Sequence, residues 1–241
     1  MWFFADENLT GDTFTFFGEN AVHISKSLRM KEGEKLTLCT KDGRRHECEI
    51  KSFTKDSVTV DVLSSTICEQ EPTVKISLFV SLLKGDKIDD VIQKATELGV
   101  YEITLLLTDR CISRPDNKQL EKKLSRWQKI ALSSAMQSRR GIIPNVNPCV
   151  DIDTLSSMLK NFDNSLVFYE CGGEKIGDII KQDDKTVAII TGSEGGFEES
   201  EIEKLQSSGA NVATLGKRIL RAQTAPIAAI SAIMYLTGNF D

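Results

Sequence analysis

The hydrophobic pattern of this 241-residue chain changes its period near residue 70. Up to that point, polar and apolar residues alternate in short runs that cover 35–40, 47–53 and 57–63. The Asp42-Gly43 pair stands between the first two runs, and this combination predicts a β-hairpin. We therefore expect residues 1–70 to form a small, mostly antiparallel β-barrel, with one short helix at 19–28.

Beyond residue 73 the apolar runs become nearly continuous and alternate with helical patterns. The strand-like runs cover 74–80, 101–107, 165–169, 187–191 and 211–215, and the helical patterns cover 87–98, 118–138, 152–159 and 198–206. Continuous apolar strands are typical of a sheet that is buried on both faces. The alternation predicts an α/β domain over residues 73–241, in which helices cover both sides of a parallel sheet.

The composition is that of an ordinary globular protein, with 40% hydrophobic and 27% charged residues. A net charge of −5 argues against a generally basic nucleic-acid binder, although it allows a local basic surface. Six cysteines without a C-x-x-C pair, and only two histidines, predict free thiols and no metal. The N-terminus lacks a basic region and no apolar run approaches about 20 residues, so we expect a soluble, cytoplasmic protein.

Two glycine-bearing segments, at 191–197 and 215–225, carry the strongest functional signal. Each follows a predicted strand, and such turns can bring backbone N–H and C=O groups close to one small ligand. The spacing matches neither a Walker loop nor G-x-G-x-x-G. Glu198, Glu199 and Glu201 fall in the first turn of the next helix and disfavour a phosphate there, so we expect a neutral or cationic ligand, such as a sulfonium.

The chain after the second turn predicts a buried helix. Thr224 is the predicted N-cap, Pro226 suits the first turn, and residues 227–236 are apolar nearly all round. Such a helix packs either in the core or against a second subunit, and the pattern favours neither alternative. Arg221 lies one turn before it, so we expect this residue to have an anionic partner or a role toward a substrate.

Residues 109–140 are basic although the chain is acidic. Nine lysines and arginines minus three acids give this segment a charge of +6. One interpretation is a solvated helix face, and the other is a surface that contacts the phosphates of a polyanion. Beside a small barrel, RNA is the better hypothesis for that polyanion.

The glycine-bearing segments also resemble a known family. Gly192-Ser193-Glu194-Gly195-Gly196, together with residues 215–225, is similar to the paired signatures of the RsmE family, bacterial enzymes that methylate N3 of one uridine in 16S ribosomal RNA. Further matching motifs lie at 84–87 with 93–99, at 127–130 with 137–138, and at 23 with 27–30, so the resemblance covers nearly the whole chain. The chain departs from the family pattern at Ser193, where proline is usual, at Gln223, where glutamate is usual, and at Ser133 and Met136, where acids are common.

The resemblance implies a SPOUT-class methyltransferase domain with a trefoil knot, a PUA-like N-terminal barrel and a homodimer. It also implies S-adenosylmethionine as methyl donor and 16S ribosomal RNA, within the assembled small ribosomal subunit, as partner. Transferred to the matching positions, the knot loops would bind the donor through Phe168, Tyr169, Glu170, Gly192, Ser193, Glu194, Gly195, Leu215, Gly216, Ile219 and Leu220.

The same resemblance, with the chemistry of the residues, suggests further roles. Arg221 is the predicted catalytic residue, because it can stabilise the negative charge that spreads over the uracil carbonyl oxygens. Arginine cannot act as the general base, which is left to Glu194 or to solvent. The predicted RNA contacts are His23, Arg29, Gln137, Arg139 and Arg140.

Two other classes of protein are compatible with parts of the pattern. A non-catalytic RNA-binding or ribosome-assembly factor on the same scaffold would bind RNA without using the donor. The motif residues that remain intact argue against it, and these are Glu194, Gly195, Gly196 and Arg221. A nucleotide-dependent oxidoreductase would use the α/β sheet, but no G-x-G-x-x-G follows the run at 74–80.

Overall fold

The computed structural model describes residues 1–240, except for the side chain of Asn117, and forms two compact units. The first unit joins Met1–Glu71 with Ala135–Ile142, and the second joins Pro72–Ser134 with Ile143–Asp241. Asp241, the last residue of the predicted second domain, lies outside the described residues. The domain boundaries 1–70 and 73–241 stay predictions, and the hydrophobic pattern did not separate the short segment 135–142 from its helix.

A curled five-stranded sheet, equivalent to half of a barrel, forms the body of the first unit. Its strands are β1 (Trp2–Phe4), β2 (Thr13–Phe17), β3 (Lys35–Cys39), β4 (Arg44–Phe53) and β5 (Ser57–Ile67), in the order β1-β3-β4-β5-β2. Strand β1 is parallel to β3, and the other neighbours are antiparallel. The predicted hairpin is confirmed between β3 and β4, where Gly43 adopts a φ of +75° that favours glycine.

One hydrophobic core supports this sheet. Phe3, Phe16 and Leu38 are buried in it, together with Ile24 from the helical segment that follows β2. Burial of a side chain of this size contributes about 1.5–3 kcal/mol. The helical segment consists of α1 (Gly18–Val22) and a π-helical turn (His23–Ser27), which confirms the position of the predicted helix.

The second unit is built on a seven-stranded sheet in which every neighbouring pair is parallel. The strands are β6 (Lys75–Ser81), β7 (Glu102–Leu106), β8 (Asn145–Val150), β9 (Asn164–Phe168), β10 (Glu174–Lys175), β11 (Thr186–Thr191) and β12 (Asn211–Thr214). Their order is β10-β12-β9-β11-β6-β7-β8, and the predicted parallel sheet is confirmed. The trefoil knot implied by the resemblance stays a prediction.

Helices cover both faces of this sheet, as predicted. They are α2 (Lys87–Glu97), α3 (Asn117–Gln137), α4 (Ile152–Met158, extended by a 3-10 turn), α5 (Ile176–Ile179), α6 (Glu199–Ser207) and α7 (Thr224–Leu236). On one face Ile88 of α2 and Ala229 of α7 belong to a common core, and on the other Leu155 of α4 packs with Leu205 of α6. None of the helices in residues 1–240 combines the length and the apolar character that crossing a membrane requires.

Helix α7 differs from the prediction at its start. Thr224 is its first helical residue, and the preceding Gln223 makes no side-chain capping bond, so the predicted N-cap was wrong. Ile230 and Ile233 of this helix are fully buried, whereas Tyr235 is 70% exposed. The helix therefore packs one side on the core of the second unit and leaves another side accessible.

A buried ion pair holds the segment 135–142 within the first unit. The Arg140 side chain is 3% exposed, and its Nε and Nη2 atoms donate to the two carboxylate oxygens of Glu71 at 3.1 and 2.6 Å. Glu71 Oε1 also accepts from the backbone N–H groups of Gly141 and Ile142, at 2.7 and 3.2 Å. One carboxylate therefore neutralises the guanidinium and satisfies two backbone donors.

Replacing Glu71 by alanine is expected to destabilise the protein by about 3–5 kcal/mol, because the buried Arg140 would lose this carboxylate and two backbone N–H groups would lose their acceptor. Urea unfolding followed by circular dichroism measures this change as a lower midpoint. The matched control is Glu69→Ala, which removes an exposed carboxylate two residues away. Equal midpoints for the two variants would contradict this role of the ion pair.

Candidate active site

A cleft of about 550 Å³ opens in the second unit at the carboxyl ends of β9, β11 and β12. These ends coincide because β9 pairs with both neighbours, so that Phe168 is in register with Thr191 and with Ala213. This edge of a parallel sheet is the usual position of a ligand site. The structure brings all the predicted donor-binding residues to the cleft, and these are Phe168, Tyr169, Glu170, Gly192, Ser193, Glu194, Gly195, Leu215, Gly216, Ile219 and Leu220.

The first glycine turn, residues 192–196, folds tightly against the loop that follows β9. Gly196 has a φ of +71°, and its N–H donates to the carbonyl of Ser193 at 3.0 Å. A Cβ atom on Gly196 would run into the carboxylate of Glu170. Glycine adopts this left-handed conformation without strain, and an added Cβ would push the flexible Glu170 side chain aside.

The side chain of Arg110 forms hydrogen bonds with this turn and with the residue that precedes α6. Its guanidinium donates to both carboxylate oxygens of Glu198, at 2.8 and 3.0 Å, and to the carbonyl of Gly195 at 3.2 Å. The hydrogen bonds from Arg110 hold the pKa of the Glu198 carboxyl below its usual range. The sequence pattern placed Arg110 in the basic segment, but it could not show that a carboxylate of the chain binds it.

At the amino end of α6, beside this turn, an acidic side chain of the helix itself accepts hydrogen bonds from the backbone. Glu201 is 5% exposed, and its carboxylate accepts from the N–H of Glu198 at 2.8 Å and from the N–H of Asp109 at 2.9 Å. A carboxylate in this position occupies the place that a phosphate would take at a helix amino end. This arrangement agrees with the predicted preference for a neutral or cationic ligand.

Glu194 lines the cleft but is held by lysine residues. Its Oε1 accepts from Nζ of Lys87 at 2.6 Å and from the N–H of Lys84 at 3.2 Å. Partial burial favours the neutral carboxyl, but these hydrogen bonds outweigh it, so the pKa of Glu194 lies below its usual range. A carboxylate with a lowered pKa is a weak general base. Both lysines belong to the motif at 84–87, which is the signal from which this contact could have been found.

The second glycine loop, residues 215–222, offers backbone groups without partners. The N–H of Gly216 donates to Oγ1 of Thr214 at 3.2 Å, whereas the N–H groups of residues 217–220 donate to no described residue. Backbone donors are strong hydrogen-bonding groups that need a partner. Since the loop lines the cleft, these donors are available to a ligand that carries acceptors.

Arg221 also lines the cleft, and its side chain is exposed. The sequence predicted either an anionic partner for Arg221 or a role toward a substrate. Arg221 forms no ion pair with any described residue, so the first alternative is not found. Its exposure explains why none is needed, since solvent hydrates the guanidinium. The position is compatible with the other alternative, a role toward a substrate.

Four of the five predicted RNA contacts are exposed on the first unit, namely His23, Arg29, Gln137 and Arg139. Among the described non-glycine residues, only Arg29 and Arg139 have a clearly positive φ, at +53° and +59°. Arg140 is instead buried against Glu71, so its guanidinium is not available to an RNA phosphate. This last prediction is corrected, because a repeating pattern of charge does not show which cation is buried.

Internal partners neutralise part of the basic segment 109–140. Arg110 and Arg140 pair with carboxylates as described, and Arg126 contacts Asp89. At least three of its nine cations are therefore structural. The remaining exposed cations, such as Arg139, are still available to contact the phosphates of a polyanion.

The described residues contain no group of three or more histidine, cysteine or acidic side chains that could hold a metal ion. All six cysteines are free, and four of them are buried. Burial raises the pKa of Cys48 to about 12 and that of Cys149 to about 11, so these thiols are not ionised at neutral pH.

Gly196→Ala is expected to destabilise the second unit by about as much as Gly209→Ala does. Both glycines have a positive φ, at +71° and +100°, so both variants carry the left-handed cost of about 1–2 kcal/mol. The Cβ added at Gly196 meets the carboxylate of the exposed Glu170 side chain, which can rotate away, and the Cβ added at Gly209 meets open space. Thermal unfolding of the two variants measures both effects.

A double substitution tests whether the Glu170 carboxylate matters. Adding Glu170→Ala should change the stability of Gly196→Ala and of Gly209→Ala by the same amount, because the carboxylate can move away from the added Cβ. Stability that Glu170→Ala restores in the Gly196→Ala variant alone would contradict this.

Two family models match this chain. The model for the RNA methyltransferase domain matches residues 69–234, which is more than half of the chain. The model for the RNA methyltransferase PUA domain matches residues 18–63, within the first unit. The predicted resemblance is therefore confirmed for both parts of the sequence.

Individual relatives agree with the family models. Ribosomal RNA small subunit methyltransferase E of Bacillus subtilis (strain 168) is 36% identical over 233 residues, which cover 93% of this chain and 91% of the relative. A solved structure described as a hypothetical protein has a TM-score of 0.93 at 33% identity and covers 100% of both chains. The structure of ribosomal RNA small subunit methyltransferase E from Neisseria gonorrhoeae, bound to S-adenosyl methionine, has a TM-score of 0.88 at 32% identity and covers 98% of this chain and 97% of that one. This protein belongs to the ribosomal RNA small subunit methyltransferase E family.

Proposed function

We propose that this protein transfers a methyl group from S-adenosylmethionine to N3 of one uridine in 16S ribosomal RNA, on small ribosomal subunits in the cytoplasm. The observation that carries the proposal is the convergence of both glycine loops and Arg221 in one cleft. The relative from Neisseria gonorrhoeae, which shares the fold, contains S-adenosyl methionine. The name of that relative and of the Bacillus subtilis relative refers to small-subunit ribosomal RNA, which supports the substrate class.

The lining of the cleft suits this donor. A volume of about 550 Å³ lies within the range of about 300–1,000 Å³ that is usual for small-molecule sites. The free N–H groups of residues 217–220 suit the acceptor nitrogens of an adenine ring. The exposed carboxylate of Glu170 favours the positive charges of an amino acid and a sulfonium. When bound, S-adenosylmethionine supplies a methyl group on a sulfur atom that leaves as a neutral thioether.

Methylation of N3 requires that uracil loses its imide proton, which leaves negative charge on the two flanking carbonyl oxygens. We assign the stabilisation of this charge to the guanidinium of Arg221, which is exposed at the cleft. Glu194 is bound by Lys87 and has a lowered pKa, so solvent is the better acceptor for the imide proton. The electron pair left on N3 then forms the new bond to the methyl carbon.

The backbone at Arg139 supports a contact between the first unit and RNA. The N–H groups of Arg139 and Arg140 donate to the carbonyls of Met136 and Ala135, at 3.4 and 2.9 Å. This pattern ends α3 as a Schellman motif, in which the left-handed position is usually glycine. Arginine occupies it here, at a backbone cost of about 1–2 kcal/mol relative to glycine. Strain of this kind is concentrated at functional positions, which favours a use for the side chain.

Arg29 occupies an equivalent position after the π-helical turn. Its φ is +53°, and the N–H of the next residue, Met30, donates back to the carbonyl of Ile24 at 3.0 Å. Two exposed arginines of one unit thus stand where glycine is the preferred residue. We propose that both contact RNA phosphates, with His23 and Gln137 beside them as further contacts.

We also propose that the protein acts as a homodimer. The exposed large apolar side chains of the second unit include Ile219 at 83% and Tyr235 at 70%. A second copy of the chain that covers them would remove this apolar surface from water. Sedimentation equilibrium tests the proposal, and the mass of a single chain at micromolar concentration would contradict it.

The proposed activity is tested by identifying the methylated nucleoside. Purified protein is incubated with labelled S-adenosylmethionine and unmodified small ribosomal subunits, and the digested RNA is analysed by mass spectrometry. Label in 3-methyluridine is the expected result. RNA binding without any donor binding or label would instead favour the non-catalytic RNA-binding factor.

Arg221→Ala is expected to lower kcat about 100- to 1,000-fold, because the developing charge on the uracil oxygens would lose its stabilising cation. The rate is measured with the donor saturating, and calorimetry is expected to show donor affinity close to that of the wild type. Arg221→Lys, which keeps the charge but not the planar donor geometry, should retain part of the rate. Wild-type turnover in Arg221→Ala would rule out this role.

Arg29→Gly and Arg139→Gly are expected to raise the thermal stability and to weaken RNA binding at the same time. Glycine removes a left-handed cost of about 1–2 kcal/mol, and loss of each cation removes one phosphate contact. Differential scanning calorimetry and the salt dependence of RNA affinity measure the two effects. The controls are Arg29→Lys and Arg139→Lys, which keep the charge and the strain. Unchanged affinity and salt slope in both glycine variants would contradict the proposed contacts.

A further inference from the structure

The first unit contains a second pocket, of about 520 Å³, whose floor is the face of the sheet opposite the core. Phe3 is buried in the core, so alternation along β1 places Trp2 on the other face. The strand register aligns Trp2 with Thr37 of β3, and Thr37 with Glu47 of β4. Thr37 Oγ1 donates to Oε1 of Glu47 at 3.2 Å. These three residues form one row across the floor.

The turn at the end of α3 forms the wall of this pocket. Met136, Gln137 and Arg139 line the wall. The indole N–H of Trp2 donates to the carbonyl of Arg140 at 2.8 Å, which ties the floor to the wall and restrains the ring. A half-buried aromatic ring that is held in this way is a suitable platform for stacking.

Two arginines border the pocket. Arg45 uses its Nε to donate to Oγ1 of Thr66 at 3.0 Å, and no described residue forms an ion pair with its terminal N–H groups. Arg139 is exposed and likewise forms no ion pair with a described residue. Glu47 adds a carboxylate that accepts hydrogen bonds. The pocket therefore combines an aromatic plane, two available cations and one acceptor.

We propose that this pocket binds one unpaired nucleotide of the RNA substrate, with its base stacked on Trp2 and its phosphate between Arg45 and Arg139. Proteins recognise single-stranded RNA by stacking bases on aromatic rings and by binding the backbone with arginine. Glu47 accepts N–H groups from the edge of the base, a function that a site for phosphate alone would not need. The inference rests on the proposed function and adds a nucleotide other than the methylated uridine, since different residues line the cleft of the second unit.

Tryptophan emission reports on this pocket directly. The chain has two tryptophans, and Trp127 is 4% exposed with its N–H bound to Asp89 at 2.9 Å. The difference between the wild type and Trp2→Phe therefore isolates the emission of Trp2. A short single-stranded RNA of mixed sequence is expected to quench that emission, because a stacked base quenches an indole.

Binding and kinetics complete the test. Trp2→Ala is expected to bind the same RNA on the order of tenfold more weakly and to raise KM for small ribosomal subunits, with the affinity for S-adenosylmethionine unchanged. The matched control is Phe17→Ala, because Phe17 is an aromatic residue of the same unit that is 69% exposed and does not line the pocket. It is expected to bind RNA like the wild type.

The outcomes separate this inference from the proposed function. Quenching of Trp2, with weaker binding in Trp2→Ala alone, would support the pocket. Formation of 3-methyluridine with unchanged Trp2 emission and an unchanged KM in Trp2→Ala would overturn the pocket and leave the proposed function intact. Absence of both methylation and RNA binding in the wild type would overturn both. The difference in emission between the wild type and Trp2→Phe decides the question even if Trp2→Ala does not fold.

Discussion

Strand β9 is the element on which the candidate active site depends. It is parallel to β11 on one side and to β12 on the other, so the loops after all three strands leave the sheet at the same edge. Its register is well determined, because Leu166 and Val167 are both fully buried, one in each core. A one-residue shift of this strand would exchange its side chains between the two cores and would also displace the loop after it relative to the glycine loops. The packing that fixes β9 in the sheet therefore also places the loops that form the cleft.

The charges around the cleft are arranged so that most acids already have a partner within the chain. Glu198 is bound by Arg110, Glu194 by Lys87, and Glu201 by two backbone N–H groups. The bonds from Arg110 and Lys87 also hold the pKa of the Glu198 and Glu194 carboxyls below the usual range. Arg221 lies in the same cleft without an ion pair to a described residue. A preorganised cation of this kind can act on charge that develops in a substrate, because no internal contact has to be broken first.

Periodicity predicted the elements whose burial is regular, and it failed where tertiary contacts decide. The apolar runs at 187–191 and 165–169 correspond closely to β11 and β9, because strands buried on both faces leave a continuous signal. Strand β1 was not predicted, since three residues are too few to show alternation, whereas the alternation of Thr and Phe over 13–16 was a signal from which β2 could have been predicted. Strand β8 was not predicted either, because its polar residues and its proline interrupt any apolar run.

The same distinction applies to individual side chains. The residues that line the cleft could be predicted because two glycine motifs stand directly after predicted strands. The ion pairs of Arg110 and Arg140 could not be predicted, because their partners, Glu198 and Glu71, lie far away in sequence. The residues around each arginine do not indicate these partners. For the same reason, the sequence did not indicate the pocket between Trp2 and the turn at the end of α3.

The central claim is that the loops at 192–196 and 215–220 form one binding site for the methyl donor. Hydrogen–deuterium exchange of backbone amides, measured with and without S-adenosylmethionine, tests it directly. We expect the donor to slow exchange in both loops together, above all at residues 217–220, whose N–H groups have no partner among the described residues. Donor binding that leaves exchange in these loops unchanged, or slows it mainly elsewhere, would contradict the account.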